Sequence, residues 1–94
     1  MLPIIWSPGA LLDLDRLTDY IDQDSHSAAF EMYERIQASV EPVSQHPYMF
    51  RTGRLPGTRE IVAHPNYIVV YRVLIDRVVV EAVIHARQKY PPDE

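Results

Sequence analysis

From Arg59 onward the chain has little choice of backbone. Glu60-Ile61-Val62-Ala63, Tyr67-Ile68-Val69-Val70-Tyr71-Arg72-Val73-Leu74 and Val78-Val79-Val80-Glu81-Ala82-Val83-Ile84 are rich in β-branched and aromatic residues. Such side chains are stiff in a helix and pack well on a pleated surface, so the three runs are predicted strands. His64-Pro65-Asn66 and Ile75-Asp76-Arg77 separate them. These breaks are too short for the crossover of a dozen or more residues that parallel neighbours need, so the strands should form an antiparallel meander. A sheet of this kind must bury one face against something else in the chain.

The first half supplies the cover. Ala10, Leu14, Leu17 and Ile21 recur at helical spacing, while Asp13, Asp15, Arg16, Asp19 and Asp22 lie off that stripe. This predicts an amphipathic helix over residues 8–23, opened by Ser7 as N-cap with Pro8 at the first helical position. A second polar cluster, Asp24-Ser25-His26-Ser27, precedes Ala29, Tyr33, Ile36, Val40 and Val43, which repeat the rhythm. Pro42 should end or kink that helix, because its ring crowds the carbonyl four residues back. Leu2 to Trp6 reads as a short strand. From Gln45 to Thr58 periodicity vanishes, and His46-Pro47 and Leu55-Pro56-Gly57 punctuate a long connection carrying Arg51, Gly53 and Arg54. Loops of that length are usually functional or mobile.

The expected fold class is α+β in the order β-α-α-β-β-β, a helical hairpin packed on one face of a small antiparallel sheet, with the other face at least partly open. The hairpin should bury Leu14, Leu17, Ile21, Tyr33, Ile36 and Val40. At 94 residues and 47% hydrophobic content the chain suits one domain spanning 1–94, with a thin core.

Cysteine is absent, which excludes disulfides, thiolate nucleophiles and Cys-based metal centres. The N-terminal apolar run has no basic flank and is too short for a signal peptide, and no window reaches the length of a membrane span, so a cytoplasmic location is expected. The net charge of −4 is unevenly placed: residues 1–50 carry −6 and residues 51–94 carry +2. An acidic first half argues against a protein that coats nucleic acid over its whole surface. A local basic site in the second half stays open.

No phosphate loop, dinucleotide fingerprint, zincin or serine-hydrolase motif occurs. His26, His46, His64 and His85 show no ligand spacing, so neither a metal nor a cofactor is expected. The helix carboxylates read as a solvated face. Arg59, Arg72, His85, Arg87, Lys89 and Tyr90 lie on or just after strands, where a rigid sheet could aim them at one point to hold a phosphate and move a proton. The structural alternative pairs Arg59 and Arg72 with Glu60 or Glu81 across strands. Tyr20, Tyr33, Tyr48, Tyr67 and Tyr71 read as packing residues.

Taken in order, Ile5-Trp6-Ser7-Pro8-x-Ala10, Asp13-Leu14 through Tyr20-Ile21, Pro56-Gly57-Thr58-Arg59-Glu60, Pro65-Asn66-Tyr67-Ile68, Tyr71-Arg72-Val73 and His85-Ala86-Arg87-Gln88 make the chain resemble the RelE/ParE superfamily, toxins of bacterial type II toxin–antitoxin systems often labelled plasmid stabilisation proteins. The resemblance implies a toxin that arrests growth until a cognate antitoxin neutralises it in a hetero-oligomer, with Arg59, Arg72 and Arg87 as contacts to target or antitoxin. It implies one of two targets. ParE-like members poison DNA gyrase; RelE-like members are ribosome-dependent mRNA endonucleases, for which His85, Arg87 and Tyr90 would be the catalytic group. Where nuclease members commonly carry an arginine just after the hairpin turn, this chain has Ile68. That departure and the negative net charge favour the gyrase reading over mRNA cleavage, with a non-toxic binding paralogue as a third possibility.

Overall fold

The computed structural model describes residues 1–92. Ser7 accepts a hydrogen bond from the backbone N–H of Ala10, and with Pro8 in the first turn it opens helix α1, Pro8–Asp22. Ser25 caps α2, His26–Ser39, in the same way through Ala28. The helix stops before Pro42, and a 3₁₀ turn, Glu41–Ser44, follows, so Val43 still reaches the core. The strands are β1 (Ile4–Trp6), β2 (Arg51–Thr52), β3 (Thr58–His64), β4 (Tyr67–Val73) and β5 (Val78–His85). They form one sheet in the order β1-β5-β4-β3-β2.

Two features depart from the sequence expectation. β1 lies parallel to β5, Ile4 opposite Val78 and Trp6 opposite Val80, so the sheet is mixed rather than wholly antiparallel. The chain leaves β1 through both helices and the meander, long enough for a parallel return. β2 is the other addition: Arg51 pairs with Glu60 and Thr52 with Arg59. Its two residues carry no strand pattern and are held by the turn that follows, where the Gly53 N–H donates to the Thr58 carbonyl at 2.7 Å.

The helices cover one sheet face. Ala10 and Leu14 of α1 and Ile36 and Val40 of α2 meet Ile61, Ala63, Val69, Tyr71, Val80 and Val83 in the main core. Leu17 and Ile21 are only half-buried, and Tyr33 is 37% exposed. The buried stripe of α2 runs Ala29, Met32, Ile36, Val40, which places Met32 and not Tyr33 toward the sheet. The spacings 29-32-36 and 29-33-36 are both helical, and the sheet accepts the slimmer side chain.

A β-bulge decides what faces where at the C-terminal end. Val70 pairs with Ala82 but Tyr71 pairs with Val80, leaving Glu81 as the extra residue on β5. One inserted residue reverses the side-chain alternation beyond it. Val78 and Val80 point to the helices, and past the bulge Val83 does, while Ala82 and Ile84 join Ile68 and Val70 in a second cluster on the opposite face. That face is less open than expected, because Ala86 and Tyr90 fold back against the cluster.

Candidate functional site

The basic residues gather where the 45–57 loop meets β3. Glu60 is 4% exposed and sits between two arginines. Arg54 donates to it from Nε and from its backbone N–H, both at 3.0 Å, and from Nη2 at 3.3 Å, while Arg51 Nη2 donates at 3.3 Å. Burial pushes the carboxyl up, but the Arg54 hydrogen bonds and the charges of Arg54 and Arg51 outweigh it, and the net displacement is below the ordinary value of 4.5. Sequence reasoning missed this anchor. Its partners lie six and nine residues back and meet it only because the Gly53–Gly57 turn doubles the chain.

Arg59 serves the same loop differently. Its Nη1 donates to the carbonyls of Tyr48 (3.2 Å) and Phe50 (2.7 Å), and its guanidinium lies 5.0 Å from the Tyr48 ring centroid. The Tyr71 hydroxyl donates to the Pro47 carbonyl at 2.7 Å, tying the start of the loop to β4. Arg72 pairs with the bulged Glu81 through Nε at 2.9 Å and donates from Nη1 to the Pro56 carbonyl. Gly57 lets that guanidinium in: its φ is +81°, and a Cβ there would stand 2.5 Å from Nη1. Of the two expected cross-strand pairs, Arg72 with Glu81 forms, and Glu60 takes Arg51 and Arg54 in place of Arg59.

The C-terminal residues do not converge. His85 ends β5 opposite Tyr67, its ring edge-on to the Tyr67 ring at 5.6 Å. Its Nδ1 accepts the Arg87 backbone N–H at 3.1 Å, so the neutral imidazole carries its proton on Nε2. With Asp13, Arg16, Leu17 and Gln88 it borders a cleft of about 320 Å³ beside α1. Tyr90 packs on the other side, against the Ile68, Val70, Ala82 and Ile84 cluster. Burial, then the charges of Glu81 and Asp13, raise its phenol above the ordinary 10.0 despite Arg72, so it is protonated at neutral pH. Arg87 is exposed. Ile68, 5% exposed, lies in the cluster that Tyr90 packs against.

One of the helix carboxylates is not a solvated ornament. β1 ends at Trp6, so β5 loses its neighbour on that edge, and Asp13 Oδ2 accepts the Val83 N–H at 3.0 Å in place of a strand. Among the described residues no group of three or more His, Asp or Glu side chains is placed to hold a metal ion, and no helix is long and apolar enough to cross a membrane.

Comparison with known proteins agrees with this architecture. The chain is similar to the Sinorhizobium fredii protein Y4kP, 38% identical over 89 residues covering 94% of this chain and 92% of that protein. It is similar to Toxin RelE2 of Caulobacter vibrioides, 33% identical over 88 residues, covering 92% and 97%. The fold matches a solved chain of the chromosomal ParDE toxin–antitoxin system from P. aeruginosa with a TM-score of 0.80 at 21% identity, covering 90% of this chain and 96% of that one. The family model for the ParE toxin of the type II toxin–antitoxin system parDE matches residues 4–90, and with two relatives above 30% identity along nearly the whole length, the chain belongs to the ParE toxin family within the RelE/ParE superfamily.

Proposed function

We propose that this toxin is held inactive by a cognate antitoxin in a hetero-oligomer and, when released, arrests growth by inhibiting DNA gyrase, with no cleavage chemistry of its own. The observation that carries the reading is that two of the residues a nuclease would need, His85 and Tyr90, face different sides of the sheet. Cleavage of RNA through its 2′-hydroxyl requires a proton acceptor, a proton donor and a cation around one phosphate. Here His85 borders the cleft beside α1 and Tyr90 packs on the opposite sheet face, while Ile68 fills a buried apolar site where a catalytic arginine would stand. Two further features support the reading. A net charge of −4 suits poorly a protein inserted among ribosomal phosphates, and the solved chain whose fold is compared above comes from a ParDE system.

The Caulobacter relative carries a RelE name, so the test must separate the two activities in one culture. Inducible expression is followed with a DNA-damage (SOS) reporter and with mapping of transcript 5′ ends. The expected result is growth arrest with SOS induction and intact transcripts. Cleaved transcripts without SOS induction would overturn the gyrase reading in favour of mRNA cleavage, and growth at the normal rate with soluble toxin present would overturn both.

A further inference from the structure

Arg59 differs from its neighbours in how its charge is met. Arg51 and Arg54 share Glu60, and Arg72 has Glu81. Arg59 is half-buried and, among the described residues, forms no ion pair; two carbonyls on Nη1 and the face of Tyr48 are its partners. A guanidinium carries five N–H donors in a planar fork suited to a carboxylate. This one borders a cleft of about 300 Å³, together with Tyr48, Thr52, Leu55, Pro56 and Val73. That volume lies at the small end for ligand pockets and suits a side chain rather than a whole cofactor.

Tyr48, which lines the cleft, is 65% exposed, and Met49, next to it in the chain, is 58% exposed; both are residue types that interfaces favour. The loop that presents them is already tied down through Glu60, Arg59 and the Tyr71 hydroxyl. Ordering it therefore costs a partner little. The cleft is of mixed lining, with Thr52 and Thr58 beside Tyr48, Leu55 and Val73, and a cation there without a carboxylate calls for an occupant that brings both a negative charge and an apolar side chain.

We propose that this cleft receives an acidic, apolar-bearing segment of the antitoxin. A carboxylate of that segment takes the N–H groups of Arg59 that the two carbonyls leave, and an adjacent apolar side chain seats between Tyr48, Leu55 and Val73. The proposal rests on the antitoxin reading above and narrows it: the contact falls to Arg59, and Arg72 is left out because Glu81 already neutralises it.

The test titrates purified cognate antitoxin into the full chain as wild type, Arg59→Gln and Arg59→Lys, by calorimetry at two salt concentrations. Arg59→Gln should weaken binding about 10- to 100-fold, the range expected for loss of a charge-assisted hydrogen bond, and should flatten the salt dependence; Arg59→Lys should recover part of the loss. Arg59 also anchors the loop, so hydrogen exchange on the wild-type complex supplies a readout free of any folding defect: amides of residues 52–58 should gain protection. Unchanged affinity in Arg59→Gln, or protection confined to the helices, would overturn the proposal. So would loss of gyrase inhibition in Arg59→Gln with antitoxin affinity intact, which would give the cleft to the target. Failure of the wild type itself to form a complex would sink the antitoxin reading and this proposal together, and it would be seen before any substitution is compared.

Discussion

Replacing Glu60 by Gln removes one charge and keeps the shape, which makes it the sharpest probe of how the 45–57 loop is held. The carboxylate is 4% exposed and takes four hydrogen bonds from Arg51 and Arg54. Breaking a fully buried pair from one side typically costs about 3–5 kcal/mol. Here the arginine side chains are 57% and 34% exposed, so water screens them and the cost must be discounted. A loss of about 2 kcal/mol is the resulting expectation, within the range for hydrogen bonds to charged groups. For a domain of this length that lowers the melting temperature by about 8–16 °C. The pH dependence carries a sign. The folded carboxyl titrates below its ordinary 4.5, so its stabilisation is fully present above that value and is lost as pH falls through the folded pKa. Thermal unfolding of both proteins from pH 7 to pH 3 should therefore show a constant gap near neutrality that closes below about pH 4.5. Trypsin should also cut the variant faster after Arg51 and Arg54, which the loop leaves untethered. Equal melting temperatures at pH 7, or a gap undiminished in acid, would refute the anchoring argument.

Other perturbations probe other parts of the molecule. Leu14→Ala, at a side chain 1% exposed in the main core, should cost about 2–5 kcal/mol in urea denaturation, whereas Tyr33→Ala, at a 37% exposed side chain beside α1 and away from the main core, should cost less; the reverse order would mean the helix is rotated on the sheet. Asp13→Ala strips the Val83 N–H of its acceptor and should cost about 1–3 kcal/mol, with faster hydrogen exchange at Val83 as the local signature, and unaltered exchange there would show that the contact is dispensable. His85→Ala and Tyr90→Phe should each leave growth arrest nearly intact in an inducible-expression assay; abolition by both, in variants that fold and bind antitoxin, would favour RNA cleavage.

Local pattern was enough for both helices, their caps, the stop before Pro42 and the three-stranded meander, because period and turn chemistry act within a few residues. What escaped was set by distant pairing. Nothing near Ile4 announces that its neighbour will be Val78, and nothing in Arg51-Thr52 reads as a strand until Glu60 and Arg59 lie alongside. Met32 displaces Tyr33 from the core through a rotation of α2 that the residue spacing alone does not resolve. The candidate site was legible as a list of residues and not as a place. The bulge at Glu81 reverses the alternation of β5, sending Ile84 to the far face and His85 to the side of Tyr67, and because Tyr90 packs in the Ile84 cluster, His85 and Tyr90, grouped in sequence, lie on different sides of the sheet. Arg72 was readable, since Glu81 lies across the β4–β5 turn, but the Glu60 anchor needed the loop to close first.

Whether the fold acts here on gyrase without a nuclease centre is decided in a purified system. Toxin freed of antitoxin is added to DNA gyrase, ATP and relaxed plasmid, and in parallel to translating ribosomes with a defined message. Supercoiling should fall with rising toxin and be restored by cognate antitoxin, and the message should stay whole. Undiminished supercoiling at excess toxin, together with ribosome-dependent cleavage of the message, would overturn the gyrase reading.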